Sequence, residues 1–313
     1  MASYFAKRLG ISVLLLFVVS IVTFVLVSLS PGNAAYTLLG PYATGEQLQK
    51  VEEQLHLNDP LLVQYWRWLS GAFHGDFGTS LINSESVTHI VGARIGPTLS
   101  LILLTLLVTG ILGIIVGIAG ALRGGWVART IDIVGLIGVA IPGFVIGLVL
   151  IAIFAVRLRL LPAVGYHTLS NGPGPWISAL ILPVISLLIG SVGLVAKQVR
   201  AAMSDVLSSE FVRTLTANGF RHRSIVYKHA LRSAAIPVLA VMGVTVVGML
   251  GASVIIEQVF GIPGIGGLAV QRTISKDLPV IQFTAVVYTL IVIVVNLVLD
   301  VAYVLVNPKV KMK

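Results

Sequence analysis

Asp132, Glu257 and Asp300 are the residues of this chain whose chemistry asks for an account first. Each stands in or beside a long apolar run, where an ionised carboxylate is costly and by default marks a proton relay or an ion pathway. All three fall toward the ends of their runs. Asp132 follows Arg129 closely, and Asp300 lies about two helical turns from the basic residues at the chain's end. Interfacial pairing is the plainer role, because a proton-coupled carrier wants carboxylates near the membrane midplane. The midplanes here are apolar, so energy for any transport comes from outside the chain.

Other reactive residues are sparse. There is no cysteine, hence no disulfide, thiolate metal site or cysteine nucleophile. The histidines (His56, His74, His89, His167, His222 and His229) lack metal-ligand spacing, and no His-Glu-x-x-His occurs. No Gly-Lys pair exists to build a phosphate loop, and no Gly-x-Ser-x-Gly elbow is present. The sequence argues against an intrinsic enzyme, and a membrane-embedded enzyme would need a nucleophile or metal set that is missing.

Two polar or broken stretches carry the functional candidates. The first, about 204–237, is the longest polar interval in the second half of the chain and the most basic, with Arg221, Arg223, Lys228 and Arg232. Glu210–Ala217 can form a short helix closed by Asn218-Gly219, both tolerant of the left-handed C-terminal cap. A second short helix from about Arg221 to Arg232 would complete a compact knob able to enter a partner's groove, with glycine allowing close backbone approach at the bend. An amphipathic linker resting on anionic lipid fits the same residues equally well. The second stretch, Glu257–Pro279, is dense in Gly and Pro around Phe260-Gly261-Ile262-Pro263-Gly264-Ile265-Gly266. It reads as a re-entrant or broken element lining a gate or pathway, the alternative being an ordinary external hairpin.

The elements that must hold these stretches are set by composition. The 313 residues are 57% hydrophobic and 11% charged, with a mean hydropathy of +1.00. A soluble domain carries roughly 25% charged residues, so the chain reads as an all-α polytopic membrane protein. Six runs are long enough to cross a hydrocarbon core that needs about 20 helical residues: Leu9–Leu29, Thr98–Leu122, Ile131–Val156, Ile177–Ala196, Ala234–Ile256 and Val280–Val306. Lys7-Arg8 before the first run also opens a signal peptide, with Ala34-Ala35 as a conceivable cleavage site, but the run exceeds a signal's apolar core. A retained first helix is the expectation. Ile141-Pro142-Gly143 should kink the third helix. Gly113 with Gly117, and Gly143 with Gly147, allow close helix packing.

With the N-terminus inside, the internal segments hold two-thirds of the 21 Lys and Arg. That bias puts both termini in the cytoplasm. The net charge of +9 is thus a topology signal and not a nucleic-acid footprint. Arg157 and Arg159, at the outer end of the third run, would snorkel to headgroups. The external segment after the first helix holds an amphipathic stretch, Glu46–His56, with Leu48, Val51 and Leu55 on one face. Asn58-Asp59-Pro60 breaks it, and Leu61–Phe73 follows, rich in Tyr65, Trp66, Trp68 and Phe73. That piece fits either the outer membrane interface, where Trp and Tyr gather, or a small external cap.

These residues, taken together, resemble a known family. Glu210-Phe-Val-Arg-Thr-Leu-Thr-Ala-Asn-Gly219, with His229-Ala-Leu-Arg232 and Ile236-Pro237-Val238, is similar to the coupling loop of ABC importer permeases of the dipeptide/oligopeptide (peptide/nickel) subfamily, B-type. Asp59-Pro-Leu-Leu-Val-Gln-Tyr65, Gly75-Asp-Phe-Gly78, Ile141-Pro-Gly-Phe144, Glu257-Gln-Val-Phe260 through Gly266, and Asp277-Leu-Pro-Val280 resemble it in the same order. Arg213-Thr214-Leu215 stands at the general family's Glu-Ala-Ala positions, and Asn218 where a basic residue is common.

The resemblance implies a type I ABC importer permease fold with six transmembrane helices. It divides the chain into an N-terminal transmembrane helix (1–30), an external segment (31–96), a five-helix core (97–306) with the coupling loop at 204–233, and a basic cytoplasmic tail (307–313). Glu210, Phe211, Arg213, Thr214, Ala217 and Gly219 would couple to the ATPase, and Phe260, Pro263, Gly264 and Gly266 would be gate or pathway residues. The chain itself would hold no cofactor or metal; ATP and Mg would be bound by partner subunits. Those partners would be a second homologous permease, two ATP-binding subunits or one fused double ATPase, an external substrate-binding protein and membrane lipid. The setting would be the bacterial cytoplasmic (inner) membrane. Cargo would be dipeptides or oligopeptides, with nickel chelates or glutathione as family alternatives and an ion-coupled carrier outside it.

Overall fold

The computed structural model describes residues 2–29, 34–40 and 42–306. The basic tail at 307–313 lies outside the described residues. Helix α1 spans Ala2–Leu29, α2 Ala34–Leu39, α3 Gly45–Gln54 and α4 Leu61–Phe73. Then come α5 (Val87–Arg123), α6 (Gly125–Ala140) and α7 (Gly143–Leu150), the last running on as a π-helical turn, Ile151–Arg157. Helix α8 covers Pro173–Leu207, α9 Glu210–Ala217 and α10 His222–Ser224. A π-helical turn at Ile225–Ala230 leads into α11 (Leu231–Val259), followed by α12 (Ile265–Ile274) and α13 (Leu278–Val306).

The apolar runs found in the sequence all lie in helices, but two boundaries change the architecture. The third run is not one kinked helix: α6 and the helix from Gly143 to Arg157 meet at 92°. Pro142 lacks an amide hydrogen and forces Ile141 into extended backbone (φ −87°, ψ 121°), so α6 ends and α7 starts afresh. Five helices are long and apolar enough to cross a membrane, and six if this bent pair counts as one span. The second difference concerns Arg221–Arg232. These residues do not form a separate short helix; they begin a single apolar helix, His222–Val259. Hydropathy missed this because its first turns are basic while their backbone simply continues.

The segment between α1 and α5 is helical where its pattern asks for helix. Thr44 and Gln47 form a capping box that starts α3, with the Thr44 N–H donating to Gln47 Oε1 at 3.0 Å. Leu48 is buried, and Val51 and Leu55 are half-buried on the same face.

The contacts divide the chain into two compact units. The N-terminal unit comprises residues 2–98 and 263–293. In it Gln282 Nε2 donates to the Ser20 carbonyl at 2.7 Å, tying α13 to α1, and the Phe77 and Phe283 rings stack at 3.9 Å. Asp277 is fully buried: Ser80 Oγ (2.5 Å), the Leu81 N–H (3.0 Å) and Arg272 Nη1 (3.3 Å) all donate to its carboxylate. The core unit comprises residues 99–262 with the described residues from 294 onward. Its helices approach at backbone contact. A Cβ on Gly193 would stand 2.4 Å from the Gly135 Cα, and one on Gly117 would stand 2.5 Å from Val199 Cβ. Only glycine admits α6 and α5 this close to α8. One apolar cluster joins Val195, Val199 and Met203 of α8 to Val226, Ala230 and Ala234 at the start of the fifth span. A second gathers Leu101, Leu180, Leu182, Ile256 and Phe260.

Candidate coupling site and cleft

Helix α9 has the bounds its sequence predicts. Ser209, in extended backbone (φ −73°, ψ 156°), opens it, its carbonyl accepting the Val212 and Arg213 N–H groups at 3.1 and 3.3 Å. At the other end the Gly219 N–H donates to the Thr216 carbonyl (3.0 Å) and the Phe220 N–H to the Leu215 carbonyl (3.1 Å). That pair of bonds is a Schellman motif, which places one residue in the left-handed region. Gly219 takes it, at φ +77°, while Asn218 stays at −81°. The predicted coupling residues Glu210, Phe211, Arg213, Thr214, Ala217 and Gly219 are all exposed and share this one short element.

The helix is fastened to its base through one imidazole. The His229 ring meets Phe211 edge-on at 6.4 Å between centroids and Phe220 at 5.6 Å. Edge-to-face pairs of aromatic rings contribute about 0.5–1.5 kcal/mol each beyond burial. His229 lies in the π-helical turn whose Ile225, Val226 and Ala230 are buried, so α9 rests on the start of the fifth span, where Val226 and Ala230 cluster with Val195, Val199 and Met203 of α8. Sequence reading placed His229 in the motif without giving it a role. Its use as a bracket depends on a side-chain geometry that spacing does not disclose.

The predicted gate residues straddle the boundary between the two units in the sequence. Phe260 is buried in the core unit, where Gly147 makes room for its ring (a Cβ there would lie 3.0 Å from the ring) and its carbonyl accepts the Gly165 N–H at 2.8 Å. Pro263, Gly264 and Gly266 fall in the N-terminal unit, where the Ile265 N–H donates to Thr98 Oγ1 at 2.9 Å. Among the described residues, the core unit also holds an apolar cleft of about 730 Å³ between the α6–α7 break, α8 and α11. Pro142, Ser186, Gly190, Lys197, Thr245 and Gly248 are among its walls. Small residues there look like packing in sequence, and the break that opens the space is the Ile141-Pro142-Gly143 motif.

Of the carboxylates, Asp132 on α6 pairs with Arg200 on α8 and not with its sequence neighbour Arg129; Arg200 Nη2 lies 2.7 Å from both carboxylate oxygens. The pair lines a second, polar pocket of about 590 Å³ with Arg129 and Asp205. Glu257 is buried in the last turn of α11, and Asp300 lies within α13.

Long apolar helices, one broken at a right angle beside a cleft, make this a multi-pass membrane protein of the all-α class. Its family is fixed by comparison with known proteins: residues 110–312 match the model described as binding-protein-dependent transport system inner membrane component, and residues 1–102 match the model of that system's N-terminal membrane component. The chain belongs to this family, the permease subunits of ABC importers. It is 36% identical to a probable peptide ABC transporter permease of Sinorhizobium fredii, over 99% of this chain and 100% of that one. It is equally 36% identical to the glutathione transport system permease GsiC of Escherichia coli, over the whole of both chains. A putative peptide transport system permease of Brucella abortus is 33% identical over 99% of each. In fold the chain resembles the MetNI methionine ABC transporter in an inward-facing form, with a TM-score of 0.56 at 18% identity, over 70% of this chain and 97% of that one. That likeness is one of fold, the type I importer permease.

Proposed function

We propose that this chain is one permease subunit of an ATP-driven importer of short peptides. It pairs with a second, homologous permease to form the pathway. Two ATP-binding subunits, or one fused double ATPase, supply the energy, and an external substrate-binding protein delivers the cargo. ATP and Mg are bound by the ATPase partners, and this chain contributes no ATPase site. Closure of the ATPase pair pushes α9, and the helices move as rigid bodies that expose the pathway to alternate sides. The bias of Lys and Arg supports cytoplasmic termini in a bacterial inner membrane.

The observation that carries this reading is the exposed, Schellman-capped α9 braced by His229 on the buried start of the fifth span. A linker resting on lipid needs no such brace. Peptide and glutathione transport are the roles named for relatives at 36% identity over nearly the whole chain, and glutathione is itself a tripeptide, so both fit one cargo class. The test is uptake by vesicles holding the full complex, offered a panel of di- to pentapeptides, glutathione and a nickel chelate. ATP-dependent uptake of peptides supports the proposal. Uptake of the nickel chelate alone, or peptide uptake driven by an ion gradient without ATP, overturns it.

A further inference from the structure

Helix α4 lies outside the six apolar runs, yet its faces are divided as sharply as those of a membrane-surface helix. Gln64, Arg67 and Gly71 form one side. Gln64 Nε2 donates to the Leu57 and Asp59 carbonyls at 3.0 and 2.8 Å, Arg67 Nη2 pairs with Asp59 at 2.7 Å, and a Cβ on Gly71 would stand 2.8 Å from the Asp76 carbonyl oxygen. This side is closed by its own loop. Leu62, Trp66, Leu69 and Phe73 recur at i, i+4, i+7 and i+11, which is one stripe of a helix. Leu69 is half-buried, whereas Leu62, Trp66 and Phe73 are 83%, 66% and 77% exposed.

The flank between these sides fixes the depth of α4. Tyr65 packs edge-on against Phe17 and Phe24 of α1, at 6.3 and 5.4 Å, and its hydroxyl is 2.8 Å from Ser20 Oγ. The membrane-crossing part of α1 is Ala6–Leu29. A hydrocarbon core takes up about 20 helical residues, and however a stretch of that length is drawn inside residues 6–29, positions 17, 20 and 24 fall within it. Tyr65 therefore meets α1 at a level where the rest of α1 faces acyl chains: Val18, Val22, Val25 and Leu26 are exposed around the contact. The exposed stripe of α4 lies next to Tyr65 around the helix, beside that contact.

We propose that α4 lies in the membrane interface with its Leu62–Trp66–Phe73 stripe seated in bilayer lipid, and with Arg67 and Asp59 held at the headgroup side. The occupant of the stripe is the bilayer and not a protein partner. The stripe adjoins on the helix the Tyr65 flank that packs against α1, and none of Leu62, Trp66, Leu69 and Phe73 is charged. Interfacial helices of this kind bury their apolar face about 5–10 Å into the headgroup and acyl boundary.

The chain has four tryptophans, so Trp68→Phe, Trp126→Phe and Trp176→Phe, in a complex whose partner subunits carry no tryptophan, leave Trp66 as the sole reporter. In vesicles of phosphatidylcholine and phosphatidylglycerol holding the full complex, lipids brominated near the glycerol end should quench most of the Trp66 emission, and aqueous iodide should quench little. Quenching by iodide and not by bromolipid would make α4 part of an aqueous cap, and protection from both would mean that protein covers it; either result overturns the proposal. Should the triple variant fail to fold, the cysteine-free background allows Phe73→Cys alone. A membrane-impermeant maleimide should label it many times more slowly than Tyr42→Cys, whose site is 96% exposed. Equal labelling rates overturn the proposal independently of what the complex transports.

Discussion

Substitution of Gly219 isolates the conformational cost of the cap from any contact with a partner. At φ +77° this residue occupies the left-handed region, and an added Cβ would meet no atom within 4 Å. Alanine there brings no clash; its penalty is the backbone term, about 1–2 kcal/mol for an L-residue. Valine, β-branched, is penalised more, and asparagine, which visits this region routinely, less. Helix α9 has 8 residues, below the roughly 12–15 at which an isolated helix becomes marginally stable. Its order therefore depends on the cap and on the His229 bracket. A loss of 1–2 kcal/mol changes the ratio of closed to frayed α9 by a factor of about 5–30. The assay is ATP-driven peptide uptake by the reconstituted complex, with ATP hydrolysis and the thermal stability of the purified permease read in parallel. Uptake should fall in the order Gly219, Asn, Ala, Val, while the permease body melts unchanged. If Ala, the smallest side chain, is instead the best tolerated, the groove that receives the knob is responding to bulk and the strain reasoning fails. Normal uptake by Gly219→Val would refute it as well.

Three further outcomes follow from packing and charge. Asp277→Asn leaves Arg272, whose side chain is 15% exposed, without its counter-charge and should cost no more than about 3 kcal/mol, the lower end for breaking a buried pair; limited proteolysis should then cut the 74–86 loop earlier than in the wild type. Gly117→Ala forces a Cβ to 2.5 Å from Val199, and the overpacking, about 1–3 kcal/mol, should outweigh a helix-propensity gain of at most about 1. Gly251→Ala, with nothing within 4 Å, should show only the gain, and a thermal melt in detergent compares the two. The Arg200 and Asp132 side chains are 25% and 37% exposed, so Asp132→Asn should cost no more than about 1 kcal/mol. Paired with Arg200→Gln it should add little further loss, a double-variant melt being the check.

The sequence reveals the apolar runs because lipid leaves few alternatives to a helix, but it does not reveal where the helices end. Val87–Pro97 of α5 and Lys197–Leu207 of α8 are continuous helix beyond the apolar part, and hydropathy is blind to backbone. Prolines were ambiguous for the same reason. Pro97, Pro183 and Pro237 stay inside helices, whereas Pro142 ends one, where Gly143 lies against the Ser186 carbonyl; the difference is tertiary. Helix α9 was legible as a helix, since Glu210–Ala217 and the glycine after it are local signals. Which of Asn218 and Gly219 would turn left-handed was open, as was the cleft, whose walls come from helices far apart in sequence. Asp277 and Ser80 meet across 197 positions of sequence, and no local pattern announces that.

The central claim, that α9 is where an ATPase takes hold, is tested most directly by a single cysteine. Thr214→Cys places a thiol on the exposed side of α9 in a chain that otherwise has none. In membranes carrying the full complex, a short bifunctional maleimide should join it to the ATP-binding subunit, and the joined complex should lose uptake. Tyr42→Cys, in the segment between α1 and α5, should give no such product. A Thr214→Cys thiol that reacts only with lipid-borne probes, or that joins no ATP-binding subunit while uptake proceeds, would contradict the account.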